Sequence, residues 1–149
     1  RMRDLIPGLV LSTDVIVGFP TETEEEFLQT LNLMEQVEFD SAFMFKYSER
    51  KNTAAQRKYS DNVKEEDKTS RITRLVEMQR KISLKRNQMD VGKIYNVLVE
   101  GPSKKPHQLM GRNMGNKIIV FPENGQKVGD FISVKVTEAT TNTLIGDKV

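Results

Sequence analysis

With 149 residues, 37% of them hydrophobic and 30% charged, the chain has the size and balance of one ordinary domain or two small ones. No cysteine and a single histidine, His107, exclude disulfides, thiolate zinc sites and cysteine-held iron–sulfur clusters within these residues. The net charge of +2 does not by itself argue for nucleic acid, and no apolar run approaches the ~20 residues of a membrane span. The start shows no secretory pattern, so a cytoplasmic location without a membrane partner is expected.

In chain order, Leu9–Val17 is apolar and rich in β-branched residues, as in a strand buried on both faces of a parallel sheet. Asp14 interrupts it, and a carboxylate there needs a partner inside the sheet or a place near its ligand end. Gly18-Phe19-Pro20 forms a tight turn. Thr23 and Glu26 then have the spacing of a capping box opening a helix over about 24–37, with Phe27, Leu28, Leu31, Met34 and Val37 on one stripe. Ser41–Ser48 alternates like a strand, which completes a βαβ unit expected to be right-handed. A polar loop, Glu49–Thr53, and an irregular stretch to about Val63 follow. A long helix over about 65–87 is acidic at its start and basic at its end, with Ile72, Leu75, Val76, Gln79 and Ile82 buried.

The pattern changes near Met89–Gly92. Beyond it, short strands over Ile94–Glu100, Leu109–Arg112, Lys117–Phe121, Phe131–Glu138 and Thr143–Gly146 are separated by glycine turns. This second part carries the whole +2 and predicts a small five-stranded barrel of the OB type. Its expected interior is Val97, Val99, Leu109, Ile119, Val134, Val136 and Leu144. The fold class is thus α/β followed by all-β, with domains at 1–88 and 89–149.

Candidate chemistry is sparse. The Gly18-Phe19-Pro20 turn admits close approach of a nucleotide-like cofactor to the backbone, or is simply a strand-to-helix turn; the spacing is not that of a phosphate loop. Glu22, Glu24, Glu25 and Glu26 read as a solvated helix start. Tyr47, Ser48, Glu49 and Arg50 lie at the carboxyl end of the second strand, the ligand side of α/β folds, where Arg50 and Lys51 suit an anion or an exposed loop. Lys104, Lys105, Arg112 and Lys117 with Phe121 supply the cations and ring of a single-stranded RNA site, or belong to solvated turns.

Five segments in order carry a resemblance: STDVIVGFPTETEEEF, FDSAFMFKYSERKNTAA, RKISLKRNQMDVGK, VLVEGPSKKPHQLMGRNMGNKIIVFP and VGDFISVKVTEATTNTLIG. Together they resemble the C-terminal part of the radical S-adenosylmethionine (SAM) methylthiotransferases that modify tRNA. The resemblance implies that Leu9–Val17 and Ala42–Tyr47 are the fifth and sixth strands of a partial TIM-like radical SAM barrel. Residues from Ile94 would form an RNA-binding TRAM barrel. It further implies methylthiolation at C2 of N6-isopentenyladenosine in the anticodon loop, using SAM and two [4Fe–4S] clusters. Part of the SAM site would lie at Val17, Gly18, Phe19 and Tyr47. The anticodon stem-loop would meet Lys104, Lys105, Arg112, Lys117, Phe121 and Arg50.

Every cluster cysteine is absent from these residues, so this stretch alone is expected to be inactive and to hold no cluster. Thr21 replaces a common glycine, and Lys51-Asn52 a common Pro-Gly. The alternatives are methylthiotransferases acting on a ribosomal-protein aspartate or on threonylcarbamoyladenosine in tRNA, and a stand-alone RNA-binding module. An open two-stranded remnant is also expected to self-associate through Val15, Val17, Phe43 and Phe45.

Overall fold

A computed structural model describes residues 2–149. Its elements are α1 (Met2–Leu5), β1 (Ser12–Val17), α2 (Glu24–Val37), β2 (Ser41–Lys46), α3 (Ala54–Lys58), α4 (Glu65–Gln88), β3 (Ile94–Pro102), β4 (Gln108–Arg112), β5 (Ile118–Pro122), β6 (Phe131–Ala139) and β7 (Leu144–Lys148). They form two compact units. One is Leu11–Ile82; the other joins residues 2–10 to Ser83–Val149. The chain passes from one unit to the other at Val10–Leu11 and at Ile82–Ser83.

In the first unit β1 and β2 pair in parallel from Ser12↔Ser41 to Val17↔Lys46, with α2 as the crossover. Helix α2 starts with the expected capping box. The Thr23 side chain accepts from the Glu26 amide, and the Glu26 carboxylate accepts from the Thr23 amide. Val17, Phe27, Leu31, Met34 and Leu75 form its core, with Val15, Ala42 and Met44 packed against it. Leu28, one residue past Phe27, is turned away from that stripe and exposed. The first strand begins three residues later than expected. Leu11 donates its amide to Asp40 Oδ2 at 3.0 Å and accepts from the Asp40 amide at 2.8 Å.

Burial on both faces does not hold. Ile16, Phe43 and Phe45 are 54%, 65% and 53% exposed. The helices cover one face, and strand alternation sends every second side chain to the other. The register puts Asp14 opposite Phe43 and Ile16 opposite Phe45, so these four share the open face. Val15 and Val17 belong to the covered one, and the expected grouping of both valines with both phenylalanines is incorrect. Asp14 is exposed and needs no buried partner.

The second unit is a closed five-stranded barrel in the order β3-β4-β5-β7-β6. All its pairs are antiparallel except β5 with β7. Irregularities between Val99 and Gly101 and between Val136 and Glu138 bend the two longest strands, as closure of so small a sheet requires. The seven expected interior residues are all buried, joined by Phe121 and Ile132. A methyl on Gly111 or Gly146 would collide with the neighbouring strand's backbone at Leu98 or Lys135. Asn87, in the last turn of α4, donates its side-chain amide to the carbonyls of Thr140 and Thr141 at 2.9 and 3.2 Å.

Candidate functional site

The carboxyl ends of β1 and β2 bring several sequence-selected residues together. Val17 is fully buried beneath the turn. Gly18 follows with φ +72, a left-handed conformation that glycine adopts without strain. Its neighbour is the stem of Lys68 on α4, which occupies the space a side chain at Gly18 would need. The Phe19 ring is 40% exposed and meets Tyr47 edge-on at 5.1 Å and Tyr59 at 6.1 Å. Val17, Gly18, Phe19 and Tyr47 thus lie in one place, with Tyr59 as an unforeseen third ring.

Beneath the rings lies a charged brace. Lys68, its side chain 2% exposed, donates to Asp61 at 2.7 Å and Glu65 at 3.1 Å, and its ammonium lies 5.6 Å from the Tyr47 ring centre. Burial alone would lower the Lys68 pKa, but the hydrogen bonds to Asp61 and Glu65 outweigh it and hold it above the usual lysine value. Hydrogen bonds from Lys68 and then Lys46 lower the pKa of Glu65. One turn along α4, Arg71 donates to Glu22 Oε2 at 2.8 Å and to the Glu22 carbonyl at 3.1 Å. The same Glu22 oxygen accepts from the Gly18 amide at 2.6 Å. Glu22 is therefore a strut rather than a solvated helix start, its side chain only 13% exposed. Glu24 does keep a largely exposed role, paired with Arg74 and Arg71, which lower its pKa.

Sequence reasoning missed Lys68, Arg71 and Asp61. The signal was available for the two cations: 68, 71, 75, 79 and 82 follow one helical stripe, and that stripe is buried. Asp61, in an irregular loop, had none.

In the barrel the candidate RNA residues separate. Lys104 and Lys105 are exposed in the loop between β3 and β4, with no ion pair among the described residues. Arg112 is 42% exposed and shared with both oxygens of Glu100 at 3.2 Å. Lys117 is only 12% exposed and bonds Asp90 at 2.7 Å. Phe121 is fully buried in the barrel core. Both were selected for lying beside turns, but strand alternation turns Phe121 inward and Asp90 draws Lys117 in. Phe121 cannot stack on a base, and Lys117 is committed to a carboxylate. Tyr95 and Lys93 complete that cluster, donating to Asp90 at 2.7 and 3.0 Å. Burial raises the Asp90 pKa, but the hydrogen bonds from Lys117, Tyr95 and Lys93 overcome this and leave it lowered. Arg50 stands in the loop after β2, exposed and without an ion pair among the described residues.

Iron–sulfur clusters do not fit this stretch: no thiolate donor is present, and no group of three His, Cys, Asp or Glu converges among the described residues. The turn fits part of a nucleoside site better, since it offers two partly open rings beside a glycine. No helix among the described residues is long and apolar enough to cross a membrane.

A TRAM domain profile matches residues 88–149. Over 149 residues the chain is 47% identical to a tRNA-2-methylthio-N(6)-dimethylallyladenosine synthase of Porphyromonas gingivalis, covering 99% of this chain and 32% of that protein. The proteins of the same name from Azobacteroides pseudotrichonymphae and Phocaeicola vulgatus are 46% and 45% identical, covering 98% and 99% of this chain and 33% of each relative. A solution structure of a conserved protein from Methanococcus maripaludis aligns with 40% of this chain and 79% of that one, at 25% identity and a TM-score of 0.34. The chain spans about a third of the length of the curated relatives it matches. Residues 88–149 match the TRAM domain, and the chain along its whole length is similar to part of the tRNA-2-methylthio-N(6)-dimethylallyladenosine synthases.

Proposed function

We propose that these residues are the C-terminal part of a radical SAM methylthiotransferase acting on C2 of N6-isopentenyladenosine in the tRNA anticodon loop. The observation that carries this is similarity along the entire chain, through both units, to enzymes named for that reaction. In this reading β1 and β2 are the fifth and sixth strands of the radical SAM barrel. Bound SAM and two [4Fe–4S] clusters in the whole enzyme would supply the radical and the sulfur. The part contributed here is binding: Val17, Gly18, Phe19 and Tyr47 would hold one side of SAM, with Gly18 set by Glu22 and Lys68. The cluster ligands lie outside these residues, so the chain by itself is inactive. Anaerobic reconstitution with iron and sulfide should give no stoichiometric cluster absorbance; a cluster, or cleavage of SAM, would overturn this.

The TRAM barrel is the RNA-binding part, with Lys104, Lys105 and Arg112 meeting phosphates of the anticodon stem-loop in the cytoplasm. Such contacts release counterions, so affinity should fall steeply with salt. The test is a salt titration of an anticodon stem-loop RNA against the chain and its Lys104→Ala, Lys105→Ala variant. Each lost contact should reduce the log–log slope by roughly 0.7–0.9. Binding that ignores salt, or an unchanged slope in the variant, would overturn it. The open face of β1 and β2 additionally gives the isolated chain a tendency to self-associate.

A further inference from the structure

The segment between β2 and α4 carries a feature that the cofactor and barrel readings leave unused. Arg50, Lys51, Arg57 and Lys58 are all exposed, and none has an ion pair among the described residues. The nearby cations Lys46, Lys68, Arg71 and Arg74 are each paired. Only one carboxylate, Glu49, accompanies the four free cations between residues 49 and 59. The next acid, Asp61, is committed to Lys68.

These cations stand on an ordered scaffold. Tyr47 and Tyr59 bracket the segment, and both rings rest on Phe19, so its two ends are held together. Inside it, the Thr53 hydroxyl donates to the Arg50 carbonyl at 2.8 Å and accepts from the Gln56 amide at 3.2 Å. The Asn52 amide donates to Gln56 Oε1 at 2.9 Å, fixing Asn52 at φ +67. Outside the loop, the Thr21 amide donates to Asn62 Oδ1 at 2.8 Å. Tyr59 remains 45% exposed.

We propose that residues 49–59 form a second RNA-contacting surface, separate from the TRAM barrel. Arg50, Lys51, Arg57 and Lys58 meet phosphates of a single-stranded segment, and Tyr59 stacks on a base. This rests on the RNA-binding reading above and extends it to the α/β unit. Cations without internal partners give up no ion pair on binding a polyanion, so their counterion release acts wholly in favour of the complex. An exposed ring among them favours a nucleic acid over an acidic polypeptide, because every base offers a face to stack on.

The experiment compares the 149-residue chain with four variants, using an anticodon stem-loop RNA at several salt concentrations. Arg50→Ala with Lys51→Ala, Arg57→Ala and Lys58→Ala should lower the salt slope by roughly 0.7–0.9 for each contact removed. Tyr59→Leu should weaken binding by roughly five- to a hundredfold with the slope unchanged. Arg50→Lys with Arg57→Lys should keep the wild-type slope, which separates loss of charge from loss of fold. If the fourfold variant binds as wild type while Lys104→Ala, Lys105→Ala lowers the slope, this surface is refuted and the barrel reading stands. If wild type shows no salt-dependent binding at all, both fail. Equally tight binding of polyglutamate would also overturn the assignment to RNA.

Discussion

Lys68 occupies the space that Gly18 leaves by having no side chain. The stem of this lysine lies against the turn at the end of β1, and its ammonium is held by Asp61 and Glu65. Glycine is required there twice over, for its φ of +72 and for this contact. Gly18→Ala should therefore destabilise the α/β unit by about 2 kcal/mol, the cost of one residue forced into an unfavourable backbone region plus displacement of Lys68. Lys68→Ala makes room for that methyl. In a double-mutant cycle read by urea unfolding, the combined cost should fall below the sum of the single costs. Simple additivity would show that the two residues do not share this space.

Asp90 makes the barrel sensitive to acid. Its folded pKa is lowered from the ordinary 3.8. As pH falls past 3.8 the unfolded chain takes up a proton before the folded one does, so the contribution of Asp90 is complete above that value. It is lost as pH drops through the lower folded value. Asp90→Asn should flatten this part of the stability–pH curve. It should also cost about 3 kcal/mol at neutral pH, because it removes the charge of one member of the nearly buried Lys117–Asp90 pair. An unchanged acid limb in urea titrations, followed through the barrel amides, would contradict the assignment.

Phe121 and Lys104 should separate stability from binding. Phe121→Ala removes a fully buried ring from the barrel core and should cost about 3–5 kcal/mol. Under conditions where the barrel is still folded, its salt slope for RNA should match wild type. Lys104→Ala should behave in the opposite way, with little change in stability and a reduced slope. A folded Phe121→Ala protein with a lost stacking contribution would restore the ring to the RNA surface.

The barrel core was legible because alternating valines and isoleucines mark a face without ambiguity; each of the seven residues chosen is buried. The same alternation, applied to position 121, would have shown that its ring points inward. The βαβ unit and the long helix were equally legible from their periods. What the periods could not supply was which charges would find each other. Glu22 looked like its solvated neighbours until the Gly18 amide and Arg71 converged on it. Lys117 looked like a free loop cation until Asp90, 27 residues earlier, drew it in. Ion pairs of such sequence separation follow from packing, and packing is set by residues far away. The two short helices were also unforeseen: four- and five-residue helices carry too few turns for a period to register.

The open face of β1 and β2 leads to a last prediction. Ile16, Phe43 and Phe45 lie exposed side by side, and among the described residues β1 and β2 pair with no further strand. Burying one such ring gives roughly 1.5–3 kcal/mol. Two copies meeting face to face should therefore associate at high concentration, and light scattering should show a mass that rises with concentration. Phe43→Ser with Phe45→Ser should weaken this association by at least about tenfold, which corresponds to ~1.4 kcal/mol. Val15 and Val17 lie on the helix-covered face, so serine there should unfold the unit instead. Asp14 sits opposite Phe43 on the open face, and its charge would lose water in the contact. Asp14→Asn should accordingly strengthen association. A monomer at every concentration for the wild-type chain, or an unchanged mass for the double serine variant, would show that the face takes no second copy.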